Sequence, residues 1–351
     1  MGQNWRAPFG LTDWWGEQSR QIETWRRHFV EVAGRAGYEP IDVPLFELSH
    51  TYEALPGPQA PAREVYRFVD VGGDDLTLRW SFVAQFQRAA IQHAWHLLPH
   101  PVRVFASGPL LRRLAPDAGE YRQWTAFSLA AYGPSRPWLL IDVMGTLAAG
   151  LARLGRAVSL VLIPPERQGD FPDALWRDRI QEAMADAHVA VVLKERTAAH
   201  EDGASGAGWF FQFVVLEENH AIVVAEGGLY PTPGRSDRGE PLVLAEGHCD
   251  CTALARRWSA GASQEPASKP VVVFGGEPRA LALAHRLRQA GLTVKSLFDA
   301  SVAAVPEGAL AAVAVDSARP GIVRCLWPSG QEESLADDAL VERLSATGED
   351  A

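Results

Sequence analysis

The sequence predicts an α+β fold, an antiparallel sheet flanked by helices, followed by a C-terminal α/β domain. Over residues 1–258, apolar residues at helical spacing alternate with short strand-like segments bounded by turn residues. A small, polar, proline-containing stretch at 259–270 is typical of a linker. Beyond it, the apolar run Val271–Phe274 and a helix opened by Pro278 are typical of a buried parallel strand and the helix that follows it.

Composition excludes several function classes before any motif is considered. Of the 351 residues, 47% are hydrophobic and 22% are charged, which is enough apolar material for a sizeable core. The 33 basic and 43 acidic residues give a net charge of −10. No bulk attraction to nucleic acid or to an anionic membrane is therefore expected, and any such contact would need a local basic patch.

Cysteine usage and the N-terminus indicate the compartment. The chain has 3 cysteines, and Cys249 and Cys251 are separated by a single residue. This spacing is too close for an ordinary structural disulfide or a zinc knuckle, so we interpret the pair as buried thiols rather than metal ligands. The first residues show no signal-peptide pattern, and no window of 18 uncharged apolar residues occurs. We therefore expect a cytoplasmic protein without a metal site.

The first part of the core is predicted to contain two amphipathic helices with strands between them. Thr12 and Asp13 offer N-cap oxygens to a helix that Gly37 can end in a left-handed conformation. The following elements are a strand at 38–44, a hairpin of 65–71 with 76–79 around a glycine turn, and a helix at 82–98.

The second part of the core begins with a hairpin whose connecting loop, 112–122, is long and charged. Long loops between strands often contact a ligand or a partner. Gly227-Gly228 is interpreted as a turn that needs positive φ, with a phosphate cradle as the alternative. The remaining elements are a helix at 138–154, a small α/β insertion at about 156–206, and strands at 209–216 and 221–225.

Four segments together resemble the histidyl-tRNA synthetase family and its paralogue, the regulatory subunit of ATP phosphoribosyltransferase. GYEPIDVPLFE at 37–47 is similar to the dimer-forming first motif, and LRWSFVAQFQR at 78–88 is similar to a paralogue segment. The stretch from 101 to 124 resembles the second motif, and AEGGLYPTP at 225–233 resembles a glycine-rich turn of the family. The resemblance implies a class II aminoacyl-tRNA synthetase-like core at 1–258 and an anticodon-binding-like domain at 271–351.

Departures from the family pattern concern the groups that amino-acid activation needs. Arg112 and Arg122 remain at the positions where the resemblance expects arginines around the second-motif loop. An expected acidic residue is Leu114, and the expected glutamine and glutamate of the returning strand are Ala126 and Ala130. No Gly-x-x-Arg ending of a third motif is visible. Loss of this many charged groups argues against an active ligase, so we expect a non-enzyme with no catalytic residues.

The amino-acid pocket implied by the resemblance is altered as well. Ser81 and Val83 replace an expected Asp and Thr, and a valine side chain cannot accept a hydrogen bond. An internal ion pair of Arg79 or Arg88 is an open alternative to ligand contact, and the 112–113 arginines could form a solvated loop face. The candidate ligand-binding residues are Arg79, Ser81, Gln85, Arg112, Arg122, Gln212 and Tyr230.

The resemblance implies a function exerted through protein contact. It implies a non-catalytic, homodimeric subunit that assembles with the short-form ATP phosphoribosyltransferase catalytic chain in histidine biosynthesis, activates it and, if histidine still binds, transmits feedback. No cofactor is expected. Alternatives are a divergent aminoacyl-adenylate-forming enzyme and an RNA-binding pseudo-synthetase. The excess of acidic over basic residues after Lys269 disfavours RNA binding.

Overall fold

A computed structural model describes residues 5–57, 64–114, 121–135, 137–163, 180–182, 184, 189–193, 209–218, 220–258, 269–274, 278–297, 304–315, 319 and 321–348. The chain divides into two compact units, Met1–Gly261 and Ala262–Ala351. Most of the predicted linker, 259–268, lies outside the described residues. No helix within the described ranges is long and apolar enough to span a membrane.

The first unit is built on a large mixed sheet in the order β1-β5-β6-β11-β10-β9-β7-β8. Its six central strands pair antiparallel, as the sequence predicts, while the edge pairs β1-β5 and β7-β8 are parallel. The strands are β1 (Glu39–Pro40), β5 (Val102–Leu111), β6 (Gln123–Pro134), β7 (Val158–Ile163), β8 (Ala190–Leu193), β9 (Phe210–Glu217), β10 (His220–Arg235) and β11 (Pro241–Asp250).

One face of this sheet is covered by α1 (Gly16–Arg35) and α4 (Pro137–Leu151), followed by a 3₁₀ turn at Ala152–Leu154. Phe29 of α1 stacks on Phe127 of β6 with ring centroids 5.3 Å apart. A Cβ on Gly150 would lie 2.4 Å from the Phe29 ring, so the two helices approach closely because that position has no side chain.

The opposite face is covered by α3 (Val83–Gln92), with a 3₁₀ turn at Trp95–Leu97 beyond it. Phe82 and Phe86 stack on each other and pack in a buried cluster with Val104, Ala126 and Leu244 of the sheet. The single helix expected at 82–98 is wrong because Ala94 adopts a left-handed conformation with φ of 51°, which interrupts the helical backbone.

Two further predictions about the first residues are corrected. The first helix begins at Gly16 rather than after Asp13, and its N-cap residue, Trp15, makes no side-chain cap. The strand expected at 38–44 is reduced to Glu39–Pro40, because prolines lack the N–H that a ladder requires. Gly37 does adopt positive φ at 79°, just after the helix.

A small second sheet has the order β2-β4-β3, formed by β2 (Phe46–Leu48), β4 (Asp75–Leu78) and β3 (Arg67–Val69). It packs against the short helix α2 (Ser49–Ala54), and the predicted hairpin turn brings Gly73 to φ of 90°. The described strands of the predicted insertion, β7 and β8, extend the large sheet instead of forming a separate one. Most of its expected helix lies outside the described residues.

The second unit is an α/β domain. Its sheet has the order β13-β12-β14-β15-β16, and a buried cluster joins the sheet to two helices. Residues Val271 to Phe274 are buried throughout, as expected of a central parallel strand. Its elements are β12 (Val271–Phe274), α6 (Pro278–Gln289), β13 (Val294–Leu297), β14 (Ala311–Val315), β15 (Ile322–Leu326), β16 (Glu332–Ala336) and α7 (Asp337–Gly348). The helix α5 (Cys251–Arg257) precedes this domain and belongs to the first unit.

Candidate functional site

Four polar side chains form a row across the central strands of the large sheet. Ser128 of β6 is paired with His248 of β11, His248 with Glu226 of β10, and Glu226 with Gln212 of β9. Paired residues of neighbouring strands share one face. The register therefore aligns a hydroxyl, an imidazole, a carboxylate and an amide on the α3 side of the sheet.

Glu246, two residues before His248 on the same strand face, completes this polar cluster. The Ser128 hydroxyl donates to Glu246 Oε1 over 2.6 Å, and His248 Nδ1 lies 3.1 Å from the same oxygen. His248 Nε2 lies 3.6 Å from Glu226 Oε1, and the Gln212 amide donates to Glu226 Oε2 over 3.1 Å. Each carboxylate of the cluster is thus engaged by other members of the cluster.

Glu226, His248 and Glu246 form a triad in which the pKa values of His248 and Glu226 are shifted. Burial opposes the charged imidazole, but the adjacent Glu246 and Glu226 outweigh it and raise the pKa of His248 to about 10. Burial also works against the Glu226 carboxylate, yet His248, Gln212 and Arg112 together lower its pKa below the ordinary value. The protonated form of His248 is therefore favoured in this setting.

Three glycines allow the strands to carry this cluster, and they correct a prediction. Gly227 and Gly228 were expected in a turn with positive φ, but both lie within β10 and pair with β9 and β11. A Cβ on Gly227 would lie 2.1 Å from the Glu246 carbonyl oxygen and 2.8 Å from the Phe211 ring. A Cβ on Gly247 would lie 2.6 Å from Leu147. These positions lack side chains because neighbouring groups fill the space.

A cavity of about 640 Å³ opens beside the cluster. Arg112, Trp124, Glu226, His248 and Asp250 contribute to its lining. The Arg112 guanidinium lies 5.7 Å from the Trp124 ring centroid, and its buried Nε has no hydrogen-bond partner among the described residues. The cavity thus presents both a cationic group and a carboxylate to any occupant.

Asp250 forms another part of the cavity wall and caps the following helix. Its Oδ1 accepts a hydrogen bond from the Ala253 N–H over 2.9 Å. Burial raises the pKa of Asp250 to about 6, although backbone donors and the charges of His248 and Arg256 act in the opposite direction.

Three of the candidate residues predicted from the sequence lie in or next to the polar cluster and its cavity. Arg112 lines the cavity, and Gln212 belongs to the polar row. Tyr230 is buried four residues after Glu226 on β10, and its pKa is raised well above the ordinary value by burial and by the Glu246 and Glu226 carboxylates.

Three other candidates have local partners instead. Arg79 is buried, donates from Nε to the Pro109 carbonyl and from Nη1 to the Val43 carbonyl at 2.9 Å each, and lies over the Phe82 ring. Ser81 Oγ accepts from the Val83 N–H at the start of α3. The Gln85 amide donates to the Pro44 carbonyl over 3.0 Å, while its Oε1 is buried with no partner among the described residues.

Arg122, the remaining candidate, contacts the N-terminal segment rather than the cavity. Its backbone N–H donates to the Gly10 carbonyl over 2.8 Å, and its guanidinium lies 5.6 Å from the Phe9 ring centroid. Its Nε donates to the Leu114 carbonyl. The sequence left open an internal ion pair at Arg79 or Arg88. The pair occurs at Arg88, whose Nε lies 2.7 Å from the Glu47 carboxylate.

Sequence reasoning missed Ser128, Glu226, Glu246 and His248. A local signal existed, since AEGG at 225–228 and AEGH at 245–248 place glutamates within otherwise apolar strands. Their partnership depends on strand register, which spacing alone does not give.

Cys249 and Cys251 are both buried free thiols. Within the described residues no group of three or more His, Cys, Asp or Glu could hold a metal ion.

Comparisons with known proteins agree with this architecture. Residues 10–164 match the family described as Histidyl-tRNA synthetase. The fold is that of a class II synthetase. The crystal structure of apo S. aureus histidyl-tRNA synthetase superposes with a TM-score of 0.75 at 19% identity, covering 97% of this chain and 100% of that one.

Another solved structure bears on the paralogue. An ATP phosphoribosyltransferase regulatory subunit/histidyl-tRNA synthetase from Bacillus halodurans superposes with a TM-score of 0.66 at 14% identity, covering 87% of this chain and 96% of that one. At these identities the two likenesses describe the fold alone.

The curated proteins that are similar to this chain in sequence include several named histidine–tRNA ligase. That of Mycolicibacterium vanbaalenii is 32% identical over 154 residues, which is 43% of this chain and 36% of the relative. That of Desulforudis audaxviator is 35% identical over 123 residues, 34% of this chain and 29% of the relative. The match thus spans about a third of the length of these relatives.

Proposed function

We propose that this chain is a non-catalytic regulatory subunit that assembles with a short-form ATP phosphoribosyltransferase and activates it. The main support is the polar cluster on the synthetase-type sheet, where Glu226, Glu246 and His248 are engaged with one another, so that little of their hydrogen-bonding capacity is left for a substrate although Glu226 and His248 also line the cavity. Ala126 and Ala130 are buried on the same sheet face and offer no polar atom. A site of this kind has few groups left for stabilising a transition state.

The proposal agrees, at the level of the fold alone, with the likeness to a protein named ATP phosphoribosyltransferase regulatory subunit/histidyl-tRNA synthetase. Such a subunit acts by binding the active and inactive states of its catalytic partner with different affinity. The cavity beside Arg112 then serves a regulatory ligand, and histidine is the proposed occupant. A variant that activates without sensing histidine is the alternative, since Ser81 and Val83 replace the polar residues that the resemblance expects, although neither lines this cavity.

The test is reconstitution from purified chains. The short phosphoribosyltransferase chain from the same source is assayed for phosphoribosyl transfer to ATP with and without an equimolar amount of this chain, and complex formation is followed by light scattering. We expect a co-eluting complex and a rise in activity of at least tenfold. Absence of both would remove the proposal, while calorimetry with histidine separates a sensor from an activator.

A second candidate, an aminoacyl-adenylate-forming enzyme, is favoured by one observation. The cavity is lined by Arg112, whose guanidinium Nε has no partner within the described residues, and by the carboxylates of Glu226 and Asp250. Such a pair can hold a zwitterion. Amino-acid-dependent exchange of labelled pyrophosphate into ATP by the purified chain would favour this candidate, and silence with all common amino acids would remove it.

A further inference from the structure

Residues 5–14, which we call the strap, precede the first helix and contain neither helix nor strand. None of them is buried, and only Gly10, Leu11 and Trp14 are half-buried. The backbone makes a turn where the Leu11 N–H donates to the Pro8 carbonyl over 3.0 Å. A segment with so little buried surface has a low free energy of local opening. The strap can therefore detach while the sheet beneath it stays folded.

The strap contacts Arg122 through Phe9 and Gly10. The Arg122 N–H donates to the Gly10 carbonyl over 2.8 Å, and the Arg122 guanidinium lies 5.6 Å from the Phe9 ring centroid. Gly10 has φ of 74°, and a Cβ on it would lie 2.9 Å from Arg122 Cγ, so both the backbone conformation and the close approach require glycine. Arg122 Nε also donates to the Leu114 carbonyl over 3.1 Å. One arginine thus joins the strap to both ends of the 112–122 connection.

Arg122 links the strap to Arg112 in the wall of the cavity. The Arg112 N–H donates to the Arg122 carbonyl over 2.9 Å. The Arg112 guanidinium lies 5.7 Å from the Trp124 ring centroid, and its buried Nε has no hydrogen-bond partner among the described residues. A shift of the Arg122 backbone therefore moves the backbone from which the Arg112 side chain projects into the cavity wall.

A second line of contacts runs from Trp14 to Arg256. The rings of Trp14 and Tyr121 meet edge to face with centroids 5.1 Å apart. The Arg256 guanidinium lies 4.5 Å from the Tyr121 ring centroid. Arg256 lines the cavity of about 640 Å³ and also a smaller cavity of about 300 Å³ that Trp14 helps to line. The strap therefore reaches a second arginine of the same cavity wall through a single intervening ring.

We propose that the strap is a releasable element whose attachment holds Arg112 and Arg256 in position in the cavity wall. Its contacts at Arg122 and Tyr121 lead independently to two cationic groups that line one cavity. A ligand that both guanidinium groups hold binds the attached form more tightly, so by reciprocity it also favours attachment. This inference concerns the chain alone and requires neither the partner nor the ligand of the proposed function.

The experiment measures how fast phenylglyoxal, which reacts with guanidinium groups, labels each arginine of the full chain, with peptide mass spectrometry as the readout. Gly10→Ala should speed labelling of Arg112 by roughly fivefold or more, because a side chain at positive φ and against Arg122 weakens attachment. Gly16→Ala is the matched control. Gly16 also has positive φ, at 61°, but a Cβ on it would meet nothing within 4 Å. Labelling of Arg112 in this control should stay within about twofold of the unmodified chain.

The second line of contacts has its own pair of variants. Trp14→Ser should speed labelling of Arg256 by roughly threefold or more, because Tyr121 loses the ring that packs against it. Trp15→Ser removes a neighbouring ring that is 81% exposed, and labelling of Arg256 should stay within about twofold. Thermal unfolding verifies that each variant is folded.

Hydrogen exchange separates positioning from simple coverage. In Gly10→Ala the Arg122 amide loses its acceptor, and the Arg112 amide should exchange roughly tenfold faster as well, while amides near Val104 in the centre of β5 keep their rates. Faster exchange at Arg122 with unchanged exchange and labelling at Arg112 would mean that the strap only covers the surface, and the inference is then overturned. Equal labelling in the two glycine variants also overturns it, because backbone strain would be the cause. Either result leaves the proposed function standing, since no ligand or partner is present.

Discussion

The large sheet and the small sheet of the first unit both contain buried polar side chains, but they use them in opposite ways. In the large sheet, Ser128 and His248 both contact the Glu246 carboxylate within an otherwise apolar face, beside a cavity. In the small sheet, Glu47 and Thr77 form the buried face, and the apolar residues of the same strands face outward. The first arrangement engages polar side chains with one another, while the second leaves apolar side chains exposed.

The largest expected effect comes from breaking the closed cluster of the large sheet. Glu246→Ala removes the oxygen shared by His248 and the Ser128 hydroxyl but leaves His248 beside Glu226, so we expect a loss of about 3 kcal/mol, the upper end for buried polar groups left unsatisfied. Urea denaturation of the first-unit transition measures the loss in free energy of unfolding. Ser128→Ala, which removes one neutral donor, should cost only about 1 kcal/mol. Equal losses for the two variants would show that the triad is not a charged unit.

A second effect is a pH dependence that belongs to the large sheet alone. The pKa of His248 is raised from an ordinary 6.5 to about 10, so protonation of the folded state contributes stability. This contribution is fully present below about pH 6.5 and is lost as pH rises through about 10, a change of a few kcal/mol. Urea titrations between pH 6 and 10.5 should show the decline in the unmodified protein and a flatter curve for His248→Gln. Parallel curves would contradict the assignment.

Elements that depend on local pattern could be predicted from the sequence. The mainly apolar segment Val158–Ile163, inside the predicted α/β insertion, forms the strand β7, and Ile22, Trp25, Phe29 and Ala33 are the buried residues of α1. In these segments, burial of one or both faces is the dominant contribution to the free energy of folding. The spacing of apolar residues along the sequence shows directly which faces are buried.

Features set by contacts between distant residues could not be predicted in this way. Glycine is common in turns, so Gly227 predicts a turn. In the structure it lies in a strand, where the Glu246 carbonyl of the neighbouring strand leaves no space for a side chain. Glu226 and His248 are 22 residues apart in sequence and meet only through the pairing of β10 with β11. The same holds for the small sheet, where alternation predicts two faces but cannot say which of them is buried.

The smallest expected effect concerns the polar face of the small sheet. In most strands an inward-facing Thr can become Val with little loss, because the inside is apolar. Thr77→Val should instead destabilise the unit by about 1 kcal/mol, since the Ser49 hydroxyl at 2.7 Å loses a partner in a buried polar layer. Chemical denaturation measures the difference, with Thr125→Val as control. Thr125 is a half-buried β6 residue that contributes its backbone N–H to a hydrogen bond, so its change should stay within about 0.5 kcal/mol. A stabilising Thr77→Val would mean that this layer behaves as an ordinary apolar core, and the outward apolar face would then lose its physical explanation.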